Sequence, residues 1–252
     1  MVRPYPPHIN IEESFNEFVE EFGGELVSEL LPKNPPFKNA DYFFQGRSIV
    51  AELKCLEKDT FQDRRYRRKM GLLYDKWVRQ GLVPDSLFRP TVIETKDYPI
   101  ECQRDVYNLL KRPIEERIKQ ANRQIKQTKE HFSLPNAKGL LLLVNDGNYS
   151  FESDALLCTL GHCFKSQFTA INSVVYFTVN MVANRPNVDR DLLIWVDARV
   201  RESEEELSRE FLDSLRNDWI SFLEQKTGEN IPQHNFEDEE VEIIKFIPPR
   251  RI

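Results

Sequence analysis

Apolar and polar residues follow a pattern whose period changes along the chain between about 3.6 residues and two. Between residues 11 and 22 apolar side chains recur at helical spacing, and Gly23-Gly24 ends the segment. Residues 25–31 and the two apolar runs within 41–56 have the composition of strands, and "QGR" forms a turn between the two runs. The first part of the chain therefore predicts one helix followed by three strands.

Helices and apolar strands continue to alternate after this hairpin. A basic helix with interleaved aromatic residues is expected over 60–82, followed by a mixed region with several prolines. The further predicted elements are helices over 113–132, 154–164 and 203–226 and strands over 139–145, 173–181, 191–200 and 241–247. This alternation predicts an α/β fold with a mixed β-sheet flanked by helices.

Composition is consistent with one domain over residues 1–252, carrying a basic, mostly helical insertion at about 57–112. The longest apolar run, "LLLLV", is too short to cross a bilayer, and the N-terminus has no apolar core of signal-peptide length. Four cysteines without a CxxC pair are typical of reduced thiols. We therefore expect a cytoplasmic protein without a membrane partner.

Charge is distributed unevenly along the chain. The net charge is −6, yet residues 57–130 hold 18 Lys and Arg against 12 Asp and Glu. Such a segment on an acidic body is able to bind a polyanion at one place, although a solvated helix face is an equally good interpretation of the run alone. The candidate nucleic-acid-binding residues are Arg64, Arg65, Arg67, Arg68, Lys69, Lys119, Arg123 and Lys126.

The hairpin "NADYFFQGRSIVAELKCLEKD" carries charges that an apolar strand usually avoids. Glu52 and Lys54 share one face of their strand, because side chains alternate. A turn near Gly46 places Asp41 opposite residue 50, 51 or 52, and so beside Glu52. Two carboxylates at such a distance repel each other and call for a cation, for which Mg²⁺ with its oxygen ligands is suitable.

This pattern of an aspartate followed by Glu-x-Lys across a hairpin resembles the PD-(D/E)XK nuclease superfamily, which has a restriction-endonuclease-like fold. The resemblance covers roughly residues 11–56 and 113–145, although Ala40 stands where many members have proline. It implies that Asp41, Glu52 and the backbone carbonyl of Leu53 bind Mg²⁺ or Mn²⁺, and that Lys54 assists the attacking water. It also implies a further glutamate on the first helix.

Glu12 is the candidate for this helical glutamate. It flanks the apolar stripe of the first helix, whereas Glu13, Glu17 and Glu20 point away from the stripe. Junction-resolving members of the family have a similar spacing of glutamate, two apolar residues and glycine, which Glu12, Phe15, Val19 and Gly23 match.

Two other Glu-x-Lys tripeptides compete with the hairpin. Pro84-Asp85 with Glu94-Thr95-Lys96 fits the literal motif better, but Pro90 falls where a paired strand would begin and no glycine turn is present. Glu224-Gln225-Lys226 falls on a predicted helix. The hairpin context favours Asp41, Glu52 and Lys54.

The expected function is that of a metal-dependent nuclease with DNA as the substrate, and Gln124 or Lys119 is a further candidate near the metal. The alternatives are a non-catalytic module that keeps the fold and binds nucleic acid or a protein, and a structural domain with a charged hairpin edge. Many duplex-cutting members of the family pair, so a homodimer remains open. Cys158, His162 and Cys163 are interpreted as helix residues rather than zinc ligands, since no other ligands are evident.

Overall fold

The computed structural model describes residues 8–57, 63–85, 97–148, 153–164, 168–181, 193–200 and 207–231. The helices are α1 (Ile11–Glu21), α2 (Arg64–Arg79), α3 (Ile100–His131), α4 (Ser153–Cys163) and α5 (Arg209–Thr227). The strands are β1 (Glu25–Leu26), β2 (Tyr42–Phe44), β3 (Ile49–Leu56), β4 (Lys138–Asn145), β5 (Ser173–Thr178) and β6 (Trp195–Arg199). This order confirms the predicted succession, while the strand expected over 241–247 lies outside the described residues.

The six strands form one mixed sheet in the order β1-β2-β3-β4-β5-β6. β3, β4 and β5 are parallel, and the remaining neighbours pair antiparallel. One apolar cluster joins α1 and α5 to one face of the sheet, and another joins α3 and α4 to the opposite face. The predicted α/β class is therefore confirmed, and no helix in the described ranges is long and apolar enough to cross a membrane.

β3 is covered on both faces, which explains its nearly continuous apolar sequence. Ile49, Ala51 and Leu53 belong to the cluster under α1 and α5, whereas Val50 and Leu56 belong to the cluster under α3. Alternation then puts Glu52 and Lys54 on the α3 face. The two charges that the sequence singled out therefore lie between the sheet and α3.

Two predicted boundaries were wrong. The strand predicted over 25–31 is only two residues long, and a 3₁₀ turn over Val27–Leu30 follows because Val27 buries its side chain under the sheet. The helix predicted to start at 113 instead begins at Ile100 and passes through Pro113. Burial of Cys102 and Val106 against α2 offsets the roughly 3 kcal/mol that a proline costs inside a helix.

α2 and residues 100–110 of α3 form what we call the helical arm, which has an apolar cluster of its own. Tyr66, Met70, Tyr74 and Trp77 of α2 pack there with Cys102 and Val106 of α3, and Leu109 and Leu110 border the cluster. Trp77 is 0% exposed and Tyr66 is 6% exposed. Both aromatic side chains therefore serve packing, and the outer face of α2 is left to its cations.

Candidate metal and catalytic site

The hairpin pairs in the register that brings the two carboxylates together. Tyr42 pairs with Ala51 and Phe43 with Val50, so Asp41 stands opposite Glu52. β2 and β3 separate at this point, and the N–H of Leu53 has no strand partner on that side. The Asp41 carboxylate accepts this N–H at 2.8 Å from Oδ2. The predicted pairing is thus confirmed, and Asp41 also completes the hydrogen bonding of β3.

Glu52 is the most deeply buried charged group of this region. Its exposed fraction is 0%, its Oε1 contacts the Lys54 ammonium, and the Asp41 carboxyl lies beside it. Its other oxygen, Oε2, is buried and has no hydrogen-bond partner among the described residues. An unsatisfied buried carboxylate oxygen costs free energy, and a divalent cation would satisfy it.

Burial shifts the ionisation of both carboxyl groups in the same direction. Burial raises the pKa of Glu52 to about 9, and the charge of Asp41 adds to the shift. Burial also raises the pKa of Asp41, against the lowering effects of the Leu53 N–H and the Lys54 charge. Burial and the mutual repulsion of the two carboxylates therefore disfavour their ionised forms, and a bound metal ion would offset this with its positive charge.

Helix α3 fixes the position of this site from above the sheet. Gln124 accepts a hydrogen bond from Lys54 Nζ at 3.0 Å and donates one to the carbonyl of Asn39 at 2.7 Å. Thr128, which is fully buried, accepts the N–H of Ala40 at 2.7 Å. Helix α3 thus holds both Lys54 and the segment that precedes Asp41. We call Gln124 and Thr128 the α3 clamp.

The sequence found one half of this clamp and missed the other. Gln124 was a candidate, and its alternative Lys119 is exposed and pairs with Glu115 at 2.9 Å. Thr128 was not considered, although it continues the buried stripe of Ile118, Ala121 and Ile125. A buried hydroxyl on such an apolar stripe needs a hydrogen-bond partner. The position of Thr128 on this stripe is the sequence signal from which its role could have been predicted.

The residues present fit an Mg²⁺ ion that keeps part of its water shell. Among the described residues, no three His, Cys, Asp or Glu side chains converge into a metal-binding group. Asp41 and Glu52 supply two carboxylates, and the Leu53 carbonyl points to the same side as its N–H, toward Asp41. One or two carboxylates with waters is the usual protein site for Mg²⁺.

Glu12 is exposed in the first turn of α1. Burial is the main cause of the raised pKa of Asp41, and the charge of Glu12 adds to it. The assignment of Glu12 to the metal site stays a prediction.

The competing tripeptides have different surroundings. Asp85 ends the described segment 63–85, and Glu94 and Lys96 lie outside the described residues. Glu224 and Lys226 lie on α5. His162, the other metal candidate, shares a 2.6 Å hydrogen bond with the hydroxyl of Tyr107.

The eight predicted nucleic-acid-binding cations are all exposed. Five lie on α2 and three on α3, where Lys119 pairs with Glu115, and Lys126 lies 3.8 Å from Glu130. Fold and site together define a mixed α/β protein with a buried pair of carboxylates and a lysine where two strands separate. The chain matches no family model, no curated protein and no solved structure in the comparisons.

Proposed function

We propose that this protein is a metal-dependent nuclease that hydrolyses phosphodiester bonds of DNA at the hairpin site. One observation carries the proposal: Glu52 is fully buried beside Asp41 and Lys54, and its Oε2 has no hydrogen-bond partner among the described residues. A purely structural ion pair has no need of a second carboxylate. A site that binds a divalent cation needs both.

The arrangement of elements supports the same proposal. α1 precedes an antiparallel meander of β1, β2 and β3, and α3 then leads into β4, which is parallel to β3. The PD-(D/E)XK superfamily, which the hairpin resembles, has a core of this order. We therefore propose a restriction-endonuclease-like core for this chain, with the arm as its insertion.

The proposed chemistry assigns a role to each group. Asp41, Glu52 and the Leu53 carbonyl would hold Mg²⁺ or Mn²⁺, which when bound lowers the pKa of water and stabilises charge on phosphate oxygens. Lys54 would be released from Glu52 and would orient the attacking water, while Gln124 keeps its ammonium in place. The exposed cations of α2 and α3 would bind flanking phosphates.

A second function, a non-catalytic binding module, is favoured by a different observation. Lys54 contacts Glu52, and Asp41 accepts the Leu53 N–H, so each charged group has a structural partner. In this alternative the charged groups would stabilise the point where β2 and β3 separate. The basic surface would then bind nucleic acid or a protein without cleavage.

Nuclease assays on plasmid and single-stranded DNA with Mg²⁺ and Mn²⁺ test the proposal. We expect wild type to cleave, Lys54→Ala to lose at least about 100-fold in rate because a positioned proton-transfer group is removed, and Lys96→Ala to retain activity. Loss in Lys96→Ala alone would assign the chemistry to the other motif. Absence of cleavage by wild type under all conditions would favour the binding module.

A further inference from the structure

The helical arm runs back toward the hairpin site. Near one end of α2, Lys76 and Trp77 both contact the Asp105 carboxylate, at 2.7 and 2.9 Å. Asp105 lies about 28 Å along α3 from Gln124, at 1.5 Å per residue. Gln124 contacts Lys54. These contacts place the C-terminal part of α2 far from the site.

The other end of α2 must therefore lie nearer the site, if the two helices are antiparallel. In that direction Met70 falls level with about Leu110, which borders the same apolar cluster, and Tyr66 falls level with about residue 115, within the length of α3. In the parallel direction both would fall beyond the start of α3 at Ile100 and would have no part of it to pack against. The burial of Tyr66 and Met70 thus supports the antiparallel course, with Arg64 level with about residue 117 of α3.

Charge is divided between the two ends of this structure. We call residues 64–69 and 111–126 the arm base, and residues 75–85 and 97–105 the arm tip. The arm base holds eleven Lys and Arg against two Glu, whereas the arm tip holds three Lys and Arg against five Asp and Glu. The cations of α2 and α3 are therefore concentrated at the end that adjoins the site.

Arg117 is a further cation of the arm base. Arg117 is exposed and was not among the cations singled out in the sequence. It lies at the level where the antiparallel arrangement places the start of α2.

We propose that the arm base docks the sugar–phosphate backbone of duplex DNA, and that the arm tip makes no contact with DNA. The identity of the polyanion rests on the proposed function. Two packed helices lie about 8–10 Å apart, which is comparable with groove widths of about 6–12 Å between phosphate rows. Lys111 to Lys126 spans about 22 Å, or six to seven base pairs.

Two double variants with the same loss of charge test the proposal. Arg64→Gln with Arg68→Gln changes the arm base, and Arg79→Gln with Arg104→Gln changes the arm tip. All four side chains are exposed, and loss of cations from the first turn of α2 does not weaken its helix dipole. Binding of a 20-bp duplex is measured by fluorescence anisotropy in EDTA between 50 and 200 mM salt, so that cleavage plays no part.

A plot of log affinity against log salt should be less steep for the base variant by about 1.8, because each lost phosphate contact removes about 0.9 from the slope. Between 50 and 200 mM salt, the factor by which its affinity falls should be about ten times smaller than the factor for wild type. The tip variant should match wild type.

Equal slopes in the base and tip variants would overturn the proposal, as would absence of DNA binding by wild type. Competition by poly-L-glutamate as strong as that by DNA would assign the surface to an acidic protein and would also overturn it. If the slopes differ as expected but wild type cleaves no DNA, the docking surface stands and the nuclease proposal fails. If wild type cleaves DNA but the base and tip variants have equal slopes, the nuclease proposal stands and the docking proposal fails.

Discussion

The chain carries a Glu-x-Lys tripeptide on strand β3 and another on helix α5, and the two behave differently. On β3, Glu52 is 0% exposed and contacts Lys54 directly. On α5, Glu224 accepts the N–H of Ile231 at 2.7 Å, and Lys226 pairs with Glu17 at 2.5 Å. Each α5 side chain therefore has a separate partner on the surface.

The difference follows from backbone geometry. Residues i and i+2 share a face in a strand, but they point about 200° apart in a helix. The strand therefore forces Glu52 and Lys54 into the same buried space, where Asp41 adds a second carboxylate. The tripeptide has chemical meaning only when a buried strand carries it and when an acid stands opposite.

The largest expected difference concerns metal binding and cleavage in Glu52→Gln and Glu224→Gln. Glu52→Gln keeps the shape of the side chain but removes a ligand, so cleavage should fall at least about 100-fold. At a Mg²⁺ concentration one hundred times its Kd, the free energy of unfolding of wild type should rise by about 2.7 kcal/mol. This gain should disappear in Glu52→Gln. Thermal melts with and without Mg²⁺ and plasmid assays measure both effects.

Glu224→Gln is the matched control for this experiment. Its amide oxygen is still able to accept the Ile231 N–H, so folding, cleavage and the Mg²⁺ gain should remain those of wild type. An equal Mg²⁺ gain in wild type and both variants would remove Glu52 from the metal site.

A smaller effect is expected from the α3 clamp, which has no counterpart around the α5 tripeptide. Thr128→Val keeps the volume but leaves the Ala40 N–H without its acceptor, so the segment before Asp41 loses its anchor. We expect kcat to fall about tenfold and Mg²⁺ affinity to weaken by a similar factor, as for outer-shell partners of metal ligands. Steady-state kinetics and Mg²⁺ titration of melting temperature measure the two.

Thr227→Val on α5 is the control for the clamp. The Thr227 hydroxyl donates only to the Leu223 carbonyl of its own helix and accepts the Glu229 N–H, so kcat and Mg²⁺ affinity should be unchanged. If Thr128→Val lowers the melting temperature but leaves kcat and Mg²⁺ affinity intact, Thr128 supports the fold and not the site.

The hairpin was predictable because its rules are local. A turn at Gly46 and the alternation of side chains were sufficient to place Asp41 beside Glu52. Thr128 and the start of α3 depend on contacts between distant segments: Thr128 on the loop before β2, and residues 100–112 on burial against α2. Pro113 indicated a boundary that this burial overrides. The division of charge between the arm base and the arm tip could likewise be recognised only from the pairing of α2 with α3.

A pH dependence of stability also distinguishes the two tripeptides. Burial raises the pKa of Glu52 from its ordinary value to about 9, so the folded, metal-free protein binds a proton that the unfolded chain has released above about pH 4.5. The stability from this proton is fully present below the unfolded pKa and is lost as pH rises through the folded one. Between about pH 5 and 9 wild type should therefore lose stability relative to Glu52→Gln as pH rises. Urea unfolding in EDTA at several pH values measures this difference, and Glu224→Gln should follow wild type. Parallel curves for wild type and Glu52→Gln would mean that Glu52 is already ionised through its contact with Lys54, and that metal binding releases no proton from it.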